Sequence, residues 1–180
     1  LEFRRVLFRS AAPAPAPPVA LPTLTYVDKL QFHMNGEDVQ AIAIPKAHTD
    51  GDTLVYFAKT DVLMTGDYFR SVGYPNIDRA NGGTLQGMLD GLAATIALCG
   101  PSTKVIPGHG ASVDKAALTA HRDMIIAIRD KVAAMVKQGK TLEEVIAAKP
   151  TAGYDAKVPG VGTTGERFIG QLYAELKQSR

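Results

Sequence analysis

Apolar and polar residues alternate along the segment that begins at Leu30. Leu30, Phe32 and Met34 are apolar, and the residues between them are polar. This period of two predicts a half-buried strand. The dipeptide Asn35-Gly36 follows it directly and favours a tight hairpin turn. The pattern therefore predicts a strand that turns back on a partner.

Three further β-type runs continue this pattern. They predict a return strand over 39–44 and two more strands, over 53–57 and 62–65. The connections between the runs are short, which favours pairing between consecutive strands. The first third of the chain is thus predicted to be an antiparallel meander.

The rest of the chain is predicted to be mainly helical. Apolar residues spaced three and four apart predict helices over 83–99 and 113–138, with a very short strand over 104–106 between them. Capping-box patterns over 141–144 and 163–166 predict two more helices. Strands first and helices afterwards, with one late strand among the helices, predict an α/β layered arrangement.

The first 20 residues are not expected to belong to the domain. Residues 1–10, LEFRRVLFRS, resemble the translation of a common sequencing-library adapter and lack the order of a signal peptide. The alternative is a genuine basic amphipathic arm. Residues 11–20 are rich in Pro and Ala and predict an extended linker. The domain is expected over 21–180, with its natural N-terminus and any targeting signal missing.

Composition narrows the class of protein. The chain of 180 residues is 46% hydrophobic and 21% charged, which is typical of a soluble globular domain. Three of its 20 basic and one of its 18 acidic residues lie in the first ten positions, so the remainder is neutral and predicts no nucleic-acid or membrane partner. No apolar run approaches the roughly 18 to 20 residues of a membrane span. The single cysteine, Cys99, excludes an intrachain disulfide framework.

Three polar motifs follow predicted strands. His48 lies in AHTDGD, Asp67 in TGD and His109 in PGHG. If these strand ends converge at one edge of a sheet, they present two imidazoles and a carboxylate to one point. Those are ligands that suit Zn²⁺ and similar borderline metals.

The same motifs resemble the metallo-β-lactamase superfamily. The stretches AHTDGDTLVYF, VLMTGDYF and VIPGHG are similar to its third, fourth and fifth metal motifs, and YPNIDRANGG is of the family's type. The resemblance covers 21–180 in the family's order. It implies the C-terminal half of a four-layer αβ/βα sandwich, with metals where the two sheets meet. It also implies that His48 and His109 each bind one metal, and that Asp67 bridges both metals and is the catalytic residue.

One hallmark of the family is missing from the sequence. No His-x-His-x-Asp-His run occurs, so the half that carries it is expected to precede Leu21. The resemblance implies a parent hydrolase with two zinc ions, with iron as the alternative metal, and a metal-activated hydroxide that attacks a small ester, thioester or lactam. This chain alone is expected to be inactive. The alternatives are a mononuclear iron enzyme that oxidises persulfides and a non-enzymatic α/β binding module. Substrate, localisation and oligomeric state stay open.

Other polar residues have more ordinary interpretations. Thr49 and Asp52 are expected to orient His48, although a simple turn carboxylate explains Asp52 equally well. Cys99 is expected to be a buried hydrophobe. His33 is expected to be solvated, and His121 is expected at the boundary of the core. Four residues after Asp67 are candidates for lining a substrate pocket, with a plain surface loop as the alternative: Tyr68, Tyr74, Arg79 and Asn81.

Overall fold

The computed structural model describes residues 17–158, 160 and 162–178. The predictions for 1–10 and for most of 11–20 therefore fall outside the described residues. Only the end of the predicted linker is described, and it contains a short 3-10 turn at Pro18–Ala20.

Five strands form one sheet in the order in which they occur along the chain. They are β1 (Lys29–Met34), β2 (Glu37–Ile44), β3 (Asp52–Phe57), β4 (Val62–Arg70) and β5 (Lys104–His109). The first four strands pair antiparallel, which confirms the predicted meander. Strand β5 joins parallel to β4. A parallel pair needs a long crossover, and the first helix of the chain supplies it.

Four helices follow the meander. They are α1 (Leu85–Leu98), α2 (Lys115–Lys137), α3 (Leu142–Ala147) and α4 (Gly165–Gln178). The capping box of α3 is confirmed, because Thr141 and Glu144 exchange side-chain and backbone hydrogen bonds. The box predicted for α4 is wrong, and a single N-cap hydrogen bond one residue later takes its place. The hydroxyl of Thr164, not Thr163, accepts from the backbone N–H of Arg167.

One face of the sheet packs against the helices. Leu63 and Val105 are paired on β4 and β5, and both are fully buried on this face. The apolar stripe of α2 packs into the same core, where Ile125 and Ile128 have no exposed surface. Burial of such side chains is the main stabilising term of the fold, at roughly 1.5–3 kcal/mol for each.

The opposite face of the sheet stays outside this core. We call it the open face, and its apolar residues are Leu30, Phe32, Met34, Val39, Ala41, Val55, Phe57, Val62, Met64 and Ile106. Val39 and Ala41 of this face are buried, whereas Met64 at its centre is 39% exposed. The predicted half-burial of β1 is therefore wrong, because Phe32 and Met34 are exposed on a face that no core residue of the described ranges covers.

Met64 and Leu63 provide a matched test of the two faces. We expect Met64→Lys to change the free energy of unfolding by about 0.5 kcal/mol or less and to reduce self-association, because an exposed apolar patch is interrupted. Leu63→Lys should cost about 4 kcal/mol or more, because it buries an unpaired charge. Urea denaturation and light scattering measure both effects. Equal destabilisation by the two substitutions would contradict the exposed position of Met64 on the open face.

No helix within the described residues is long and apolar enough to cross a membrane.

Candidate metal centre

The three predicted ligands lie at one edge of the sheet. His48 is in the loop after β2, Asp67 is in β4, and His109 is the last residue of β5. Since β2 and β4 both run antiparallel to β3, and β5 runs parallel to β4, the ends of β2, β4 and β5 share this edge. One detail of the prediction is wrong. Asp67 does not follow its strand, because β4 continues to Arg70 through a register irregularity at Gly66.

The structure brings the three side chains together. Nε2 of His48 lies 3.7 Å from Oδ2 of Asp67, and Nε2 of His109 lies 3.3 Å from Oδ1. Both separations exceed the roughly 2.7–2.9 Å of a charge-assisted hydrogen bond. Two ligands at about 2.0–2.2 Å from one tetrahedral ion are separated by about 3.3–3.6 Å. The His109 separation lies within that range, and the His48 separation is slightly longer.

The two histidines address different oxygens of Asp67. The two histidines therefore contact the same carboxylate from different sides, and the three side chains do not surround a single point. Accordingly, across the ranges that the structure describes, no three or more His, Cys, Asp and Glu side chains form a compact metal-binding group. The side chains of His48, Asp67 and His109 are 15%, 40% and 52% exposed, so a solute can reach the carboxylate and His109.

The hydrogen bond of His48 fixes its tautomer. Nδ1 lies 2.7 Å from the backbone carbonyl oxygen of Asn76. A carbonyl only accepts, so Nδ1 carries a proton, and Nε2 is the ring nitrogen that faces Asp67. Metal-binding histidines in proteins are usually held in this way.

The expected partners of His48 have a different role. The carboxylate of Asp52 accepts from the backbone N–H of Thr49 at 2.9 Å, and the hydroxyl of Thr49 accepts from Gly51 at 3.2 Å. They close the turn that carries His48 and do not touch its ring nitrogen. Burial raises the pKa of Asp52. The simple turn interpretation of Asp52 is the one that the structure supports.

Gln171 of α4 holds the segment that orients His48. Its Nε2 donates to Oδ1 of Asn76 at 2.9 Å, and its Oε1 accepts from the backbone N–H of Ile77 at 3.1 Å. Ile77 is buried, so this N–H depends on the contact. Sequence analysis missed Gln171, because about 95 residues separate it from its partners and no local pattern marks it.

A test of Gln171 follows from these contacts. We expect Gln171→Leu to cost about 1–3 kcal/mol of unfolding free energy, because the buried N–H of Ile77 loses its acceptor. The ring resonances of His48 should shift as well. Gln86→Leu, on the exposed side of α1, is the control and should change neither quantity. Urea denaturation and NMR measure the two effects, and an unchanged His48 spectrum in Gln171→Leu would argue against this support.

Two glycines allow the backbone to pack closely around the centre. A Cβ on Gly83 would lie 2.0 Å from the carbonyl oxygen of His48, so the start of α1 abuts the His48 loop. A Cβ on Gly108 would lie 2.1 Å from Oδ1 of Asp67 and 2.7 Å from the backbone carbonyl carbon of Gly66. Real Cβ atoms do not tolerate such contacts, and only glycine fits at both positions.

Two of the pocket candidates are core residues. Tyr68 is fully buried with its hydroxyl 2.7 Å from Thr95, and Tyr74 is buried and stacks on Phe168. The other two pocket candidates bond to neighbouring polar residues. Arg79 donates to Gln178, and Asn81 donates to Asp78.

The remaining predictions agree with the structure. Cys99 is buried as expected, and its burial raises the pKa of the thiol. His33 is exposed as expected, and it pairs with Asp38 at 2.6 Å. His121 is intermediate in exposure, as expected at the boundary of the core, and its Nε2 atom is buried.

These elements form part of the metallo-β-lactamase fold, and solved structures of that fold match the chain. They include the sec-alkylsulfatase Pisa1 from a Pseudomonas species, with 17% identity over 86% of this chain and a TM-score of 0.68. The metallo-beta-lactamase family protein TTHA1429 from Thermus thermophilus matches with 17% identity over 91% of this chain and a TM-score of 0.61. A metallo-beta-lactamase from Pontibacter korlensis matches with 17% identity over 58% and a TM-score of 0.50. The α/β fold expected from the motifs is confirmed.

The chain spans only part of these proteins. It covers 26% of the alkylsulfatase, 54% of the Thermus protein and 48% of the Pontibacter protein. No family model and no curated protein matches the sequence. At this level of identity the likeness establishes the fold, and the reaction is a separate question.

Proposed function

We propose that this chain is the C-terminal half of a metal-dependent hydrolase domain with the metallo-β-lactamase fold. In this proposal His48 and His109 each bind one of two metal ions, and Asp67 bridges them. The substrates are small molecules with an ester, thioester or lactam bond.

One observation carries the proposal. Nδ1 of His48 donates to a backbone carbonyl, and Nε2 faces an oxygen of Asp67 at 3.7 Å, beyond hydrogen-bond distance. In the neutral tautomer that this bond sets, Nε2 presents a lone pair to the carboxylate, and the two electron-rich atoms repel each other unless a cation lies between them. The donor set of imidazole nitrogen and carboxylate oxygen is one that zinc prefers. The residues therefore fit the ion.

The residues of the chain have separate tasks in this centre. The carbonyl of Asn76 keeps Nδ1 of His48 protonated and Nε2 free as a ligand. Asp67 directs one oxygen to each histidine and so couples the two positions. His109 is the most exposed of the three and borders the solvent from which a substrate arrives. When bound, zinc supplies an acidified water and polarises the electrophilic group of the substrate.

Three donors do not complete two metal sites. A catalytic zinc ion has three protein ligands of its own. We therefore propose that the remaining ligands belong to a segment outside this chain, and that the same segment covers the open face. The partial coverage of the matched structures supports this division. The chain by itself is expected to have no hydrolase activity.

Metal content and hydrolysis test the proposal in the complete protein. We expect two zinc ions per protein molecule, and at most one after His48→Gln. His33→Gln is the matched control and should keep both ions, because His33 is exposed and lies on β1 away from the centre. Full zinc content in His48→Gln would overturn the proposed role. One iron ion per molecule in the wild-type protein would point to an oxidising enzyme instead.

A further inference from the structure

A cavity of about 350 Å³ lies between the end of β4, helix α2 and the segment 154–158. Small-molecule sites in proteins have volumes of about 300–1,000 Å³. The residues used in the argument are Phe69, Arg70, His121, Met124, Lys157 and Val158. None of the proposed metal ligands lines this cavity.

Two buried nitrogen atoms in the walls of the cavity lack partners. Nε of Arg70 and Nε2 of His121 make no hydrogen bond to any part of the chain that the structure describes. Buried polar groups are nearly always satisfied, so an orphan pair in one cavity calls for an explanation such as a bound ligand. Nη1 of Arg70 donates to Thr163 at 2.9 Å, which anchors one end of the guanidinium beside the cavity.

The charged groups around the cavity favour an anionic ligand. Arg70 keeps its charge at all relevant pH values, and no carboxylate of the described segments forms an ion pair with it. Lys157 adds a second cation at the exposed side. The ring of His121 contacts Phe69 edge-on at 4.9 Å, and burial lowers its pKa to about 4, so the ring is neutral near pH 7.

We propose that this cavity binds a small carboxylate with an apolar body. The carboxylate would accept from Nε of Arg70 and Nε2 of His121 after a small rotation of their side chains. Phe69, Met124 and Val158 would contact the apolar body. A single guanidinium among apolar walls suits a monoanion better than a strongly hydrated phosphate. This inference does not depend on the proposed hydrolase activity.

Benzoate is the probe for this site. It is titrated by calorimetry into the full chain with a chelator present, so that no metal ion contributes to binding. We expect saturable binding with a dissociation constant of about 1 mM or tighter. Benzyl alcohol has the same ring without the charge. Its dissociation constant should be at least about tenfold higher than that of benzoate. Acetate, which lacks the ring, should also bind more weakly.

Substitutions locate the binding. Arg70→Met should weaken benzoate binding about tenfold or more, because the charged donor is lost and the stem is kept. Arg129→Met is the matched control, since Arg129 lies on α2 but pairs with Asp130 outside the cavity. If Arg70→Met does not fold, NMR of the wild-type chain is used instead. The ring resonances of His121 should then shift on addition of benzoate, and the shift should saturate.

Three results would overturn the proposal. They are the absence of saturable binding up to about 10 mM, equal affinity for benzoate and benzyl alcohol, and benzoate binding that leaves the His121 resonances unchanged. Equal affinity would identify an apolar cavity without anion recognition. Loss of hydrolase activity in the complete protein would have no bearing on these outcomes.

Discussion

Asp67→Asn in the complete protein should weaken zinc binding by at least about 100-fold, since loss of a residue that only supports a ligand already costs 10–100-fold. The substitution keeps the shape of the side chain and removes the negative charge that lies between the two imidazoles. Hydrolysis should fall to background for the same reason. Competition with a chromogenic chelator measures the affinity, and the steady-state rate measures the activity.

The control for this experiment is Asp50→Asn. Asp50 is exposed in the same loop as His48, so its substitution removes an equal charge close to the centre. We expect its zinc affinity and rate to stay within about twofold of the wild-type values, because screened surface charges interact weakly. Retention of full zinc affinity in Asp67→Asn, or an equal loss in both variants, would contradict a bridging role for Asp67.

Gly83→Ala should have the second large effect. The added methyl group would lie 2.0 Å from the carbonyl oxygen of His48, and the neighbouring contact is backbone that cannot rotate away. We expect a loss of about 1–3 kcal/mol or more in unfolding free energy. We also expect weaker zinc binding in the complete protein, because the loop that carries His48 must shift. Urea denaturation of the chain and zinc titration of the complete protein measure these effects.

Gly170→Ala is the matched control for Gly83→Ala. Gly170 lies within α4, and no atom is within 4 Å of the position of an added Cβ. Alanine there should stabilise the chain by about 0.5–1 kcal/mol, since glycine is unfavourable inside a helix. If Gly83→Ala were as stable as Gly170→Ala, the close packing of α1 on the His48 loop would be wrong.

Local features of the fold could be predicted from the sequence. The turn at Asn35-Gly36 has φ values of 54° and 71°, as a two-residue hairpin turn requires. Thr141 and Glu144 form the predicted box because both partners lie within one helical turn. Such elements form between residues that are close together in the sequence, so a local sequence pattern is sufficient to predict them.

Features that depend on distant residues could not be predicted in the same way. Strand β4 extends to Arg70 because β5 pairs with it. Strand β5 begins at Lys104, which is 34 residues after Arg70 in the sequence. The burial of β1 was predicted wrongly, because an alternating pattern shows which face is apolar and not what covers it. The support of His48 by Asn76 and Gln171 also lies beyond local patterns.

The candidate site was partly predictable. The motifs around His48, Asp67 and His109 lie near the ends of strands, and the topology of the sheet brings those ends to one edge. Their positions in the chain predicted a metal site, but they did not predict which oxygen of Asp67 faces which histidine. The close approach that Gly83 and Gly108 allow is visible only once the loops are packed.

Anomalous diffraction from zinc-loaded crystals of the complete protein tests the central proposal most directly. We predict zinc peaks at about 2.0–2.2 Å from Nε2 of His48, from the carboxylate of Asp67 and from Nε2 of His109. Zinc peaks that leave these three side chains without a metal bond, in a protein that hydrolyses its substrate, would contradict the proposal.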